Sequence, residues 1–215
     1  MKFIEAGGTA QVFNLTYGER CESPALYKRN PKPSEQEVKE IRAGEIQRAA
    51  DILGTSIESF DYGDSPLVID ADRKLHILEK FRAFRPDVVL THWKDDIMHP
   101  DHVETTKAAL WACSYCGVGG IPTEADPCPK PALYCYETTS GTAPVSKFLP
   151  DVFVDVTDVF DRKLEALKEL AAQPALVSIY EVIGRYRAIE ATHTARMSGC
   201  EFAEGFSKLG SHPAG

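Results

Sequence analysis

The chain has 215 residues, 43% of them hydrophobic and 26% charged, and a formal net charge of -8. The length and hydrophobic content suit one globular domain with a sizeable core, and the acidic charge argues against a nucleic-acid partner, because phosphates need a basic patch. No apolar run is long enough to span a bilayer, and residues 1–8 are too polar for a secretory signal. We therefore expect no membrane partner and a cytoplasmic location.

The first half of the chain alternates predicted strands and helices. Residues 10–16 predict a strand, and a capping box that starts at Ser34 opens a helix whose apolar residues recur at helical spacing. Gly54 is a suitable stop for this helix. Residues 57–60 predict a short strand, and residues 71–84 repeat the helical pattern.

The second half continues the alternation. It has predicted strands at 87–90, 132–136 and 152–156, and predicted helices at 103–114, from Thr157 to an interruption at Pro174, and at about 177–195. Such alternation is typical of a layered α/β fold with a parallel sheet. The sequence therefore predicts a single α/β domain over residues 1–215.

The segment from Thr91 to His102 lies where a predicted strand crosses into a predicted helix. In it His99 and His102 flank a Pro-Asp pair. Ligands of parallel α/β sheets bind at the carboxyl ends of the strands, and a helix N-terminus favours anions. We expect the active site here.

This histidine motif resembles that of the PIG-L/LmbE-like superfamily of zinc-dependent deacetylases. Residues 15–20 resemble the family's second strand and the turn after it, and residues 42–45 its Arg-x-x-Glu helix. Residues 85–92 resemble the strand before the histidine motif, and residues 203–206 the C-terminal signature. The resemblance covers nearly the whole chain and implies a Rossmann-like three-layer sandwich with a mainly parallel sheet.

One family feature does not appear in the sequence. Family members begin with a strand that ends in His-Pro-Asp-Asp, which supplies a histidine and an aspartate to the metal and an aspartate base. Residues 1–8 instead resemble the end of the family's first helix. We therefore expect the first strand to be missing and the domain to be truncated relative to the family, or the gap to be filled by another segment or subunit.

The resemblance assigns roles to the histidine motif. His102 would be a ligand of Zn²⁺, and His99 would polarise the substrate carbonyl and stabilise the oxyanion. Asp101 would orient a histidine through a hydrogen bond, a role that is compatible with capping the following helix. The alternative for His102 is a histidine at the start of a helix that binds no metal. The alternative for His99 is a loop histidine exposed to water.

Four further residues are site candidates. Glu19 could bind substrate or move protons, and Arg20 could bind a carboxylate, although both could be solvated turn residues. The family comparison makes Arg42 a candidate for substrate binding, and with Glu45 it could form an ordinary ion pair. Asp96 could line the substrate pocket.

Three functions are open at this point. The resemblance implies a zinc-dependent hydrolase that uses metal-activated water to remove an N-acyl group from a small polar substrate. Residues 17–27 resemble a branch that includes 4-oxalomesaconate hydratase, which implies a hydro-lyase acting on an unsaturated oxo-tricarboxylate. The third alternative is an inactive remnant or an assembly subunit. We expect a small polar or carboxylate-bearing substrate and a homo-oligomer.

The six cysteines do not have the spacing of a zinc ribbon. Cys113 and Cys116 form a Cys-x-x-Cys pair, but Cys128 and Cys135 are spaced differently. We interpret these four as ordinary buried or loop thiols.

Overall fold

The computed structural model describes residues 1–28, 32–139 and 143–210. The α-helices are α1 (Lys2–Glu5), α2 (Pro24–Tyr27), α3 (Glu35–Leu53), α4 (Ala71–Phe84), α5 (Pro100–Tyr115), α6 (Ala143–Ser146), α7 (Phe160–Lys168) and α8 (Leu176–Thr194), with a 3-10 turn at Thr157–Val159. The strands are β1 (Gln11–Asn14), β2 (Ser56–Ser59), β3 (Val88–His92), β4 (Ala132–Tyr136), β5 (Val152–Asp155) and β6 (Ala203–Leu209). Within these ranges, every helix is too short or too polar to cross a membrane.

The strands form two sheets, and the α/β class is confirmed. β1 pairs in parallel with β2, and the second sheet has the order β3-β4-β6-β5. β3 and β4 are parallel, whereas β6 is antiparallel to β4. The backbone N–H of Asp151 donates to Phe206 and that of Val156 to Phe202, so β5 also runs opposite to β6. The mainly parallel sheet is not confirmed, because the four-stranded sheet is mixed: β6, which was not predicted from the sequence, runs antiparallel to β4. The absence of a first strand stays a prediction.

The chain divides into two compact units. The first unit consists of Met1–Leu67 and Phe153–Glu204, and the second consists of Val68–Val152 with the described residues from Gly205 onward. The expectation of a single domain over 1–215 stays a prediction.

The first unit is built around α3. Ser34 accepts a hydrogen bond from the Glu37 N–H and the Glu37 carboxylate accepts one from the Ser34 N–H, so the predicted capping box is confirmed. Gly54 ends the helix with φ of 72°, a left-handed conformation that glycine adopts without strain. Val38 on this helix is fully buried in a cluster with Leu26 and Ala172. A second cluster of buried residues consists of Val156, Val159 and Phe160.

The second unit packs α4 and α5 near β3. Leu78 of α4 is buried with Cys116 and Cys128, and Trp93 is buried with Cys135 and Phe148.

The boundaries of α4 agree with the prediction, whereas α5 begins three residues earlier than expected. Pro100 occupies the first turn of α5, where its fixed φ fits the helix and its missing N–H costs nothing. Asp101 and His102 therefore lie on the first turn of a helix.

Candidate active site

The predicted site lies between β3 and α5 in the second unit. His92 is the last residue of β3, and local backbone hydrogen bonds shape the loop between it and α5. The His99 N–H donates to the Asp96 carbonyl at 3.1 Å, and the His102 N–H donates to the His99 carbonyl at 3.0 Å. Trp93 anchors the start of the loop, since its indole N–H donates to the Ser146 carbonyl at 2.7 Å.

Three imidazole rings stack in this segment. The ring centroids of His99 and His102 are 3.7 Å apart with an interplanar angle of 6°, and those of His92 and His102 are 4.2 Å apart at 15°. His102 is thus the middle ring. The ring of Tyr136, from β4, lies 5.1 Å from that of His92.

Asp96 is the anion of the cluster, and its side chain is 1% exposed. Its Oδ2 atom lies 2.9 Å from Nδ1 of His102 and accepts a hydrogen bond from the Thr139 hydroxyl at 2.7 Å. Burial alone would raise the pKa of Asp96, but hydrogen bonds from Thr138, His102 and Thr139 lower it below its ordinary value. The carboxylate is therefore ionised at neutral pH.

His92 is neutral at neutral pH. Burial, reinforced by the neighbouring His102 and His99, lowers its pKa from 6.5 to about 3. Nδ1 of His92 and Oδ1 of Asp96 are buried and have no hydrogen-bond partner among the residues described. Unpaired buried polar atoms are rare, so these two indicate a place where a small polar group can bind.

The predicted zinc site takes only His102 from the histidine motif, whereas His99 was expected to polarise the substrate. The rings of these two residues are nearly parallel, with centroids 3.7 Å apart. In ranges 1–28, 32–139 and 143–210, no group of three or more His, Cys, Asp and Glu side chains could hold a metal ion. Zinc binding by His102 stays a prediction.

Asp101 lies half-buried in the first turn of α5, where a carboxylate interacts favourably with the helix dipole. Asp96 also bonds a histidine of the motif, since its Oδ2 atom lies 2.9 Å from Nδ1 of His102. The roles of Asp101 as orienting residue and of Asp96 as pocket residue stay predictions.

Glu19 belongs to the first unit, where its carboxylate is fully buried. It accepts hydrogen bonds from the backbone N–H groups of Tyr17 and Asp64, both at 3.2 Å. The Lys39 ammonium lies 3.6 Å from it. The carboxylate thus links the turn after β1 to the turn after β2 through hydrogen bonds. The catalytic role of Glu19 stays a prediction.

Arg20 is exposed and lies beside the same turns. Its Nε donates to Glu35 at 3.0 Å and its Nη1 donates to the Asp64 carbonyl at 2.8 Å. The Asp64 carboxylate accepts from the backbone N–H groups of Arg20 and Cys21. A substrate carboxylate that binds Arg20 would compete with Glu35 for the guanidinium.

Arg42 is buried and forms the ion pair with Glu45 that the sequence suggested, at 2.8 Å. Its Nε donates to the Tyr17 carbonyl at 3.1 Å, and its Nη2 donates to the Gln173 side chain at 3.2 Å. Arg42 therefore holds the turn that carries Glu19, and its predicted contact with substrate stays a prediction.

Two residues of the histidine cluster, Thr138 and Thr139, were not predicted from the sequence. A signal for the threonines was present, because they directly follow the predicted strand at 132–136. That strand is the parallel neighbour of β3, and the carboxyl ends of neighbouring parallel strands lie at one edge of a sheet.

A family model described as PIG-L, GlcNAc-PI de-N-acetylase, matches residues 1–113, which is more than half of the chain. The chain belongs to this family. Members of the PIG-L family that resemble it include both hydratases and deacetylases.

The 4-oxalmesaconate hydratase of Pseudomonas putida is 29% identical to this PIG-L chain over 208 residues, which are 95% of this chain and 80% of the hydratase. The crystal structure of the 4-carboxy-2-hydroxymuconate hydratase of Pseudomonas putida KT2440 has a TM-score of 0.92 and 28% identity, and the match covers 99% of this chain and 88% of that one. The diacetylchitobiose deacetylase of Thermococcus kodakarensis is 30% identical over 173 residues, 76% of this chain and 61% of the deacetylase.

Proposed function

We propose that this PIG-L chain is a hydro-lyase that adds water across the carbon–carbon double bond of an unsaturated oxo acid carrying several carboxylates. The observation that carries the proposal is the similarity to a Pseudomonas putida hydratase structure over 99% of the chain, with a TM-score of 0.92. The substrate class, the homo-oligomer and the cytoplasmic location stay predictions.

The histidine stack suits this reaction. Hydration of a conjugated double bond needs a base that takes a proton from water and an acid or hydrogen-bond donor that stabilises the enolate oxygen. Asp96 holds Nδ1 of His102, which leaves the lone pair of a neutral ring on Nε2. There it can accept a proton as the water oxygen attacks one carbon of the double bond, and return that proton to the neighbouring carbon. His99 then stabilises the developing oxyanion, and its ring stacks on that of His102.

Carboxylates on the substrate require cationic groups. Arg20 of the first unit is a separate proposal for this role, because its guanidinium is exposed and its planar fork matches a carboxylate. The proton-transfer role of Glu19, also in the first unit, stays a prediction.

A second candidate function is removal of an N-acyl group from a small polar substrate. The family description and the similarity to a diacetylchitobiose deacetylase favour it. The reaction would use Zn²⁺ in the complete family site, and for this chain zinc stays a prediction.

The two reactions are separated by one paired assay of the purified protein, with and without added Zn²⁺. We expect loss of conjugated absorbance with an unsaturated oxo-tricarboxylate and no acetate from an N-acetylated amino sugar. His102→Gln should lower the hydration rate by at least about 100-fold, the lower end of the rate factor that a general acid or base contributes. His193→Gln, an exposed histidine on α8, is the matched control.

Acetate release without hydration would overturn the proposal in favour of the deacylase. A folded protein inactive on both substrates would favour an assembly subunit.

A further inference from the structure

We infer that Thr106 is a positioning residue whose hydroxyl fixes the backbone of His92 against α5 and thereby sets the spacing between the rings of His92 and His102. The inference rests on the proposed function for its kinetic consequence, since that function places the reaction at the histidine stack. Its structural part concerns only residues of the second unit.

Two buried hydroxyl groups lie between β3 and α5. Thr91 of β3 is 3% exposed and Thr106 of α5 is 2% exposed. The Thr106 hydroxyl donates to the His92 carbonyl at 2.8 Å, and its oxygen lies 3.4 Å from that of Thr91. Because a hydroxyl has one hydrogen, Thr106 donates to the carbonyl and accepts from Thr91. The two hydroxyls therefore act in series on the last residue of β3.

The hydroxyl of Thr106 has a cost that a valine would not have. Valine has nearly the same shape as threonine, and burial of a polar group lowers stability unless a hydrogen bond compensates for it. The compensating acceptor is the carbonyl of His92, the residue at which β3 ends. The hydrogen bond thus joins the end of the strand to the helix that follows it.

The position of Thr106 on α5 connects this hydrogen bond to the histidine stack. Residues four apart on a helix lie on the same face, so Thr106 lies one turn after His102. Both residues contact His92, since Thr106 bonds its carbonyl and the ring of His102 lies 4.2 Å from its ring, between centroids. Two adjacent turns of one helix therefore hold the main chain and the ring of His92. Loss of the Thr106 hydroxyl would release the main chain.

The kinetic test compares Thr106→Val with Thr106→Ser in the hydration assay. Thr106→Val should lower kcat by about 10–100-fold with little change in KM, because a displacement of about 1 Å in an active site can cost about 100-fold. Thr106→Ser keeps the hydroxyl and should keep kcat close to that of the unmodified protein. Thr91→Val should have a smaller effect, because it leaves the hydrogen bond to His92 in place. Thr192→Val is the matched control, because that hydroxyl donates to Ala188 within α8.

A spectroscopic readout separates positioning from simple loss of stability. In nuclear Overhauser spectra of the folded protein we expect a cross-peak between ring protons of His92 and His102, because their rings are stacked. The cross-peak is assigned by its loss in His92→Gln and in His102→Gln. It should weaken in Thr106→Val and return in Thr106→Ser, whereas a variant that is only less stable would keep it in its folded molecules.

The outcomes distinguish this inference from the proposed function. An unmodified protein without hydratase activity would contradict the proposed function, and the cross-peak would still test the position of His92. A hydratase in which Thr106→Val leaves the cross-peak unchanged would overturn the inference alone, whatever its kcat. Equal losses of kcat in Thr106→Val and Thr106→Ser would also overturn it. Should Thr106→Val fail to fold, Thr106→Ala, which also lacks the hydroxyl, replaces it in both measurements.

Discussion

Two buried carboxylates have different surroundings in this protein. Asp96 is hydrogen-bonded to side chains, an imidazole and two hydroxyls, whereas Glu19 accepts from two backbone N–H groups. The backbone partners of Glu19 belong to two turns, and the carboxylate links these turns. The hydrogen bonds of Glu19 therefore make a contribution to stability that is separate from its predicted catalytic role.

We expect Glu19→Gln to lower the free energy of unfolding by about 1–3 kcal/mol, the usual cost of leaving a buried partner unsatisfied. One amide oxygen cannot accept from both Tyr17 and Asp64, and the NH₂ group faces a donor. Urea denaturation followed by circular dichroism measures the change. Glu40→Gln, at an exposed position of α3, serves as control, and equal unfolding midpoints for the two variants would refute the structural role.

At the scale of elements, helix positions were more predictable than strand order. The capping box of α3 and the apolar periodicity of α4 depend on neighbouring residues alone, so both helices form where the pattern predicts them. β6 was missed because the residues of the segment Ala203–Leu209 give little local indication of a strand. It becomes a strand by pairing with β4.

Two helical glycines should respond in opposite ways to alanine. A Cβ at Gly184 of α8 would lie 2.8 Å from the Phe160 ring, which stacks on Phe202, so Gly184→Ala should lower the unfolding free energy by about 1–3 kcal/mol. A Cβ at Gly44 of α3 would meet only the flexible end of Arg48. Gly44→Ala should therefore raise the unfolding free energy by about 0.5–1 kcal/mol, because alanine favours helix.

Thermal and urea unfolding of both variants measure the two effects. Stabilisation by Gly184→Ala would show that the aromatic pair moves aside without cost. Destabilisation by Gly44→Ala would show that Arg48 is held by its ion pair with Glu169.

At the scale of the molecule, the exposure of the cysteines differs between the two units. The second unit contains four buried thiols, at Cys113, Cys116, Cys128 and Cys135, whereas Cys21 of the first unit is exposed. They occupy different clusters, because Cys116 packs with Cys128 and Cys135 packs with Trp93. The interpretation of these four residues as ordinary thiols agrees with this packing.

Thiol labelling should therefore report unfolding of the second unit. Burial raises the pKa of Cys113 to about 12 and those of Cys116 and Cys135 to about 11, so they stay protonated and unreactive at neutral pH. In the folded protein we expect iodoacetamide to modify Cys21 and not these three, as measured by peptide mass spectrometry. In urea all of them should react, and Cys21→Ser should remove the rapid label. Rapid modification of Cys113 without denaturant would contradict this packing.

The sequence by itself determined the α/β class, the main helices and the segment that holds His99 and His102. These depend on periodicity, capping and a short motif, all of which are encoded by residues close together in the chain. Only the tertiary structure decided that Asp96 bonds His102, that Thr139 and His92 join them, and that β6 runs antiparallel. The hydrogen bond from Thr139 to Asp96 requires β3 and β4 to pair, and no local pattern encodes the partner of a strand.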